Sequence, residues 1–269
     1  MLNILRADLS KAVRSKVFWV ILSLTVASEI MVSYSSFSIY SLAATTNDPN
    51  LIPPGGFHSF VEIVIRTLPD TGVLVGIFAI LFAMYEFSHG TIKNISSKGY
   101  HREYIYLSKF VTALGVAVIS MALQVVISFV MAKIIIKNAI PNFFDDNIGF
   151  AKNLGFFSLQ IIAYIALALF LVFVIRSLGP ALSIFIVYYF LQQIIPLTFD
   201  DMLQKTFHTK LSLEPYMISN AFYSSMDLLG IADVSLTPDQ VTRGIIVLCT
   251  YILVFTIVGL YTFRKRDIN

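Results

Sequence analysis

Charge is what this chain has least of. Across 269 residues only 13% are Asp, Glu, Lys or Arg, while 57% are hydrophobic. Soluble domains carry roughly a quarter charged residues. The deficit, with a mean hydropathy of +0.79, points to a polytopic membrane protein. Cysteine is nearly absent too. The single Cys249 lies in an apolar run and excludes an intrachain disulfide and any Cys-based metal site. The four histidines (His58, His89, His101, His208) are scattered and give no ground for a shared metal site. No Gly-x-x-x-x-Gly-Lys-Ser/Thr loop is present to bind nucleotide. Neither His-Glu-x-x-His nor Gly-x-Ser-x-Gly occurs. No catalytic residue or bound cofactor is therefore expected. The net charge of +3 sits at the ends of apolar runs and forms no stripe suited to nucleic acid.

What the chain has is hydrophobic runs of spanning length, roughly 20 residues. Runs at 17–40, 110–132, 154–175, 181–199 and 244–263 qualify directly. A further run, 71–85, covers only about 22 Å at the rise of an α-helix, and Asp70 and Glu86 bound it. Extended upstream it becomes a span at 61–85. The expected fold is all-α with six transmembrane helices. Basic residues precede the first run and Ser41-Leu42-Ala43 resembles a cleavage site, but the run exceeds a signal core in length, so it is read as an uncleaved helix.

Orientation follows from the positive-inside rule. With both termini cytosolic, twelve of the nineteen Lys and Arg fall on the inside. Residues 1–16 place Leu2, Leu5, Leu9 and Val13 at helical spacing with Arg6, Lys11 and Arg14 on other faces, the pattern of an amphipathic interfacial helix. Residues 200–242 form the largest extramembrane piece, an extracellular insert mixing acids with apolar runs.

Ionisable groups inside spans are expensive and tend to be functional. Glu29 lies about 18 Å into the first span. It is either a carboxylate facing a cavity or subunit seam, or a structural group paired with a base such as Arg66 or Lys133, or a protonated, hydrogen-bonded acid. Gln124, Gln160, Gln192 and Gln193 suit interhelical hydrogen bonds or pathway lining.

The compact polar segment at 86–109 is the one place where a soluble partner could grip. Glu86 sits where the second span leaves the bilayer. Gly90-Thr91 allows a turn, with Thr91 able to cap a short helix over 92–97. The pattern Glu86-x-x-x-Gly90-Thr91-Ile92-Lys93, followed by Arg102 and Lys109 ahead of an apolar helix, resembles the permease subunits of type-2 ABC exporters. It is most like the bacitracin-resistance and lantibiotic-immunity type. The closing Phe263-Arg-Lys-Arg-Asp267, the amphipathic start and the large insert are similar to that family as well.

The resemblance implies that 86–109 is the coupling segment, with Glu86, Gly90, Thr91, Ile92, Lys93 and Arg102 meeting a separate ATPase. It implies two ATPase subunits and a second permease, identical or paralogous, in a plasma membrane of bacterial type. ATP and Mg2+ would be bound only by the partner. Two permeases would enclose a pathway lined by spans one, two and five, where Glu29, Gln192 and Gln193 would lie. Its usual cargoes are hydrophobic or amphipathic peptides, antibiotics and membrane lipid. The alternatives are a sensor or scaffold without transport, and an intramembrane enzyme, for which Glu29 alone supplies too few catalytic groups.

Overall fold

A computed structural model of the chain describes residues 2–46, 69–89, 91, 101–136, 147–207, 212–222 and 237–265. Every long element among them is an α-helix: α1 (Leu2–Arg14), α2 (Lys16–Thr46), α3 (Pro69–Ser88), α4 (Arg102–Ile136), α5 (Asn147–Ile175), α6 (Leu178–Phe207) and α7 (Pro238–Lys265). One 3-10 turn at Glu214–Tyr216 completes the set. Five helices carry stretches long and apolar enough to cross a membrane: Lys16–Ser35, Thr71–Ser88, Arg102–Met131, Ala151–Ile175 and Pro238–Lys265. α6 adds a shorter apolar stretch, Leu178–Gln192. Helices are what such composition must form, because hydrocarbon offers a backbone amide no partner outside its own segment. The expected all-α, polytopic class is therefore observed. Residues 61–68, proposed as the upstream part of the second span, lie outside the described residues.

α5 is the centre, packed against α3, α4, α6 and α7. Residues 163–169 are all buried, as expected of a helix apolar on every face. α3 comes close enough to its neighbours to need glycine. A Cβ at Gly72 would lie 2.5 Å from the Tyr164 ring, and one at Gly76 would lie 2.2 Å from the Phe185 ring. Small residues at such crossings let packing contacts between the helices form. α2 packs along α4, and α1 lies against both.

Contacts between helix ends fix the alternation. Lys11 of α1 reaches Glu86 at the end of α3, and Lys109 near the start of α4 reaches the same carboxylate. Arg102 donates to the carbonyls of Phe263 and Arg264 at the end of α7, at 3.2 and 3.1 Å. Leu178 at the start of α6 shares a cleft with Glu86. All these termini meet at one end of the bundle, so successive long helices run antiparallel. Between α5 and α6 only Arg176 and Ser177 are non-helical. Arg176 takes a left-handed conformation (φ 56°) that terminates α5. Pro180 falls in the first turn of α6, where its missing N–H leaves no helix bond unmade.

At the opposite end, Ser212–Phe222 packs into the bundle. Gln160 Nε2 donates to the carbonyl of Ser219 at 2.9 Å, and Tyr251 donates to that of Tyr216 at 3.1 Å. A Cβ at Gly244 would meet the Phe222 ring at 2.5 Å. This irregular backbone is therefore held among protein groups, the condition under which it is tolerated near a membrane.

Candidate functional site

The site begins with a single acid. Asp8 is the only carboxylate before Glu29 in the sequence, and it stands four residues from both Ile4 and Ala12. That spacing puts the three on one helix face, and all three are buried against the bundle. The apolar stripe noted from the sequence points elsewhere, since Leu9 and Val13 are exposed. α1 thus has two working faces, one docked on α4 and one turned outward.

The docked face meets an ionic cluster. Lys109 Nζ lies 2.8 Å from Asp8 Oδ1 and 2.6 Å from Glu86 Oε2. The three side chains are only 1–3% exposed. Ser108 Oγ donates to Asp8 Oδ2 at 2.5 Å, and Lys11 Nζ reaches Glu86 Oε1 at 3.2 Å from a half-exposed position. The Phe82 ring lies 4.9 Å from the ammonium. Two carboxylates and two ammonium groups balance, as buried charges must. Three elements are thereby pinned at one point: α1, the last turn of α3 and the second turn of α4.

Of the residues expected to couple to an ATPase, Glu86 is the hub of this cluster. Thr91 lines the cleft beside it. Arg102 lies on the same end but ties the last turn of α7 to α4, supported by an exposed Glu103–Arg264 pair at 3.6 Å. Gly90, Ile92 and Lys93 lie outside the described residues.

The residues expected along a pathway fall in two other places. Glu29 is buried between α2 and α4, accepting hydrogen bonds from Ser33 Oγ at 2.9 Å and from Ser128 Oγ. Lys133 is exposed, with its ammonium over the Phe129 ring. Gln124 continues this polar seam with a hydrogen bond to Thr71 of α3. Gln192 is bonded to Tyr164 OH and accepts from the Ser219 N–H at 3.3 Å, linking α6, α5 and the 212–222 segment. The side chain of Gln193 is outside the described set.

Among the described residues no group of His, Cys, Asp and Glu is arranged to hold a metal. The arrangement holds helices together. Residues 2–268 match the family model for the ABC-2 family transporter protein. The chain belongs to the ABC-2 transporter family. As an ABC-2 permease it is the multi-pass membrane subunit of an ABC transporter and works with an ABC ATPase. No curated protein matches the permease.

The sequence pattern gives no role to Asp8, and it sets Lys109 with Arg102 among the basic residues ahead of the third span. Helix α4 begins at Arg102 and buries Lys109 one residue before the expected span. One signal could have found the cluster: a lone acid on an otherwise apolar or basic amphipathic helix calls for a cation opposite.

Proposed function

We propose that this permease exports a hydrophobic or amphipathic cargo, of the peptide, antibiotic or lipid kind, and is related in role to the bacitracin-resistance and lantibiotic-immunity permeases. Two ATPase subunits, which carry the ATP and Mg2+, would drive a pair of permeases in a bacterial plasma membrane. The observation that carries this reading is the buried Asp8–Lys109–Glu86 cluster. Its members Glu86 and Lys109 bound the 86–109 segment, at the end of the bundle where α1 docks and α7 terminates. Positive-inside charge makes that end cytosolic. Displacement of the segment after Glu86 by an ATPase would pull α1, α3 and α4 together, because the three share one set of ion pairs.

Glu29, buried against α4 by its bonds to Ser33 and Ser128, is proposed to meet cationic amphipathic cargo when the α2–α4 seam opens. Gln192 and Gln193, on α6, would line the pathway at a point apart from Glu29. Export unchanged by Glu29→Gln would remove Glu29 from the pathway.

The deciding experiment is co-purification with a candidate ABC ATPase from the same cell, followed by ATP hydrolysis and cargo efflux from vesicles. Charge reversal at Lys93 is expected to weaken assembly and abolish stimulation of hydrolysis while the permease remains folded. Assembly and stimulation that survive reversal at Lys93 would overturn the coupling assignment. Stable assembly without efflux of any cargo class would favour a scaffold.

A further inference from the structure

We propose that the cleft at the α1–α2 junction binds an anionic phospholipid from the membrane. The cleft has a volume of about 710 Å3, within the range of small-ligand sites. Its floor is apolar, built from Val17, Leu81, Phe82 and Leu178, and its rim carries Arg14 and Lys16. Those two cations are in surplus. Among the described residues Glu86 is the only carboxylate lining the cleft, and it is already held by Lys109 and Lys11. Among the described residues neither Arg14 nor Lys16 pairs with an acid.

Depth identifies the occupant. Trp19, just beyond the junction, is 57% exposed, and its indole N–H donates to the Val13 carbonyl at 3.0 Å. Tyr85, on the cleft wall, is 63% exposed. Outward-facing Trp and Tyr gather where headgroups meet acyl chains. The rim cations therefore lie at headgroup level, with the apolar floor beside them at the level of the first acyl carbons. A phosphate diester matches the rim and its chains match the floor. A choline headgroup would bring a like charge to Arg14 and Lys16.

The binding also has a structural role. Ser15 separates α1 from α2, donating to the Ala12 carbonyl at 2.7 Å and accepting from the Phe18 N–H at 3.1 Å. A lipid bridging Arg14 and Lys16 spans this joint and fixes the angle at which α1 leaves α2.

Trp19 is the only tryptophan in the chain, which makes it a native probe. The full-length protein is reconstituted in phosphatidylcholine vesicles containing acyl-brominated phosphatidylglycerol or acyl-brominated phosphatidylcholine at equal mole fraction. Phosphatidylglycerol is expected to quench Trp19 more strongly, and its unbrominated form is expected to relieve that quenching. In Arg14→Gln/Lys16→Gln the preference should fall by roughly five-fold per cation removed, with the thermal midpoint in lipid-free detergent unchanged. Equal quenching by the two lipids in the unmodified protein overturns the proposal, as does a preference that survives the double substitution. Loss of ATPase co-purification in the double variant, with no lipid preference in the parent, would assign the cleft to the ATPase instead.

Discussion

Replacing Lys109 by methionine is the sharpest perturbation of the ionic cluster. The ammonium sits 2.8 Å from Asp8 and 2.6 Å from Glu86. At an effective dielectric near 20, each contact amounts to about 6 kcal/mol of Coulomb attraction. Burying each ion costs several kcal/mol in return, so the intact cluster stands near balance. Methionine removes the attraction and leaves two carboxylates in place, each 3% exposed or less. Only Glu86 keeps a cation, the half-exposed Lys11. Breaking a buried pair in this way costs about 3–5 kcal/mol. At the sensitivity of a chain this size, the midpoint should fall by roughly 10 °C. Glu86→Gln in the Lys109→Met background should cost much less than in the parent, with a coupling of about 2 kcal/mol. Thermal unfolding of the purified protein in detergent, followed by Trp19 fluorescence, reads both numbers. A midpoint within about 2 °C of the parent, or additive effects of the two substitutions, would refute a cluster that acts as a unit.

Packing and hydrogen bonding supply further expectations. Gly72→Ala drives a methyl to 2.5 Å from the buried Tyr164 ring and should cost about 1–3 kcal/mol, read as a lower midpoint. Gly155→Ala, where nothing lies within 4 Å, should not lower it. Gln192→Leu leaves Tyr164 OH and the Ser219 N–H short of a partner. It should cost about 1–3 kcal/mol, and hydrogen exchange across 218–222 should accelerate before that of α5. Arg102→Ala removes two bonds to the last carbonyls of α7. A loss of about 1 kcal/mol should be accompanied by faster exchange in the final turn of that helix.

The fold class was legible because hydrocarbon leaves the backbone one choice; the count was less so, since six spans were expected and, among the described residues, five helices carry spanning stretches while α6 carries a shorter one, Leu178–Gln192. The family was legible from the polar segment after Glu86 together with the layout of runs around it. Pairing was not legible. Glu29 stood out as a buried acid, but its hydrogen-bond partner Ser128 is 99 residues away in sequence, and a serine in an apolar helix carries no mark of what it faces. The α1 stripe misled for a related reason. Leu9 and Val13 form the more apolar face, and in water that face would turn inward. Beside a membrane the outward side is apolar too, so apolarity ceases to say which face docks. The marker that remains is the charge that cannot be left in hydrocarbon. On α1 that is Asp8, and the bundle supplies Lys109 opposite it.

That inversion bears on why the joint is ionic. Apolar helices packed in lipid can slide past one another at little cost, because every face is equally soluble. Ile4 and Ala12 alone would hold α1 on α4 loosely, and a shift by one residue turns the contact face by about 100°. Ion pairs allow one register, which is the best-attested use of buried charge. The two roles separate in a triple variant, Asp8→Leu/Glu86→Leu/Lys109→Met. An apolar replacement of comparable volume removes the desolvation cost along with the attraction, so the midpoint should equal or exceed that of the parent. If register transmits motion from the ATPase, hydrolysis in the assembled complex should become independent of cargo, and efflux should stop in spite of the retained stability. Efflux at parental rates in that variant would show that the cluster only holds the helices together and that motion travels by another route.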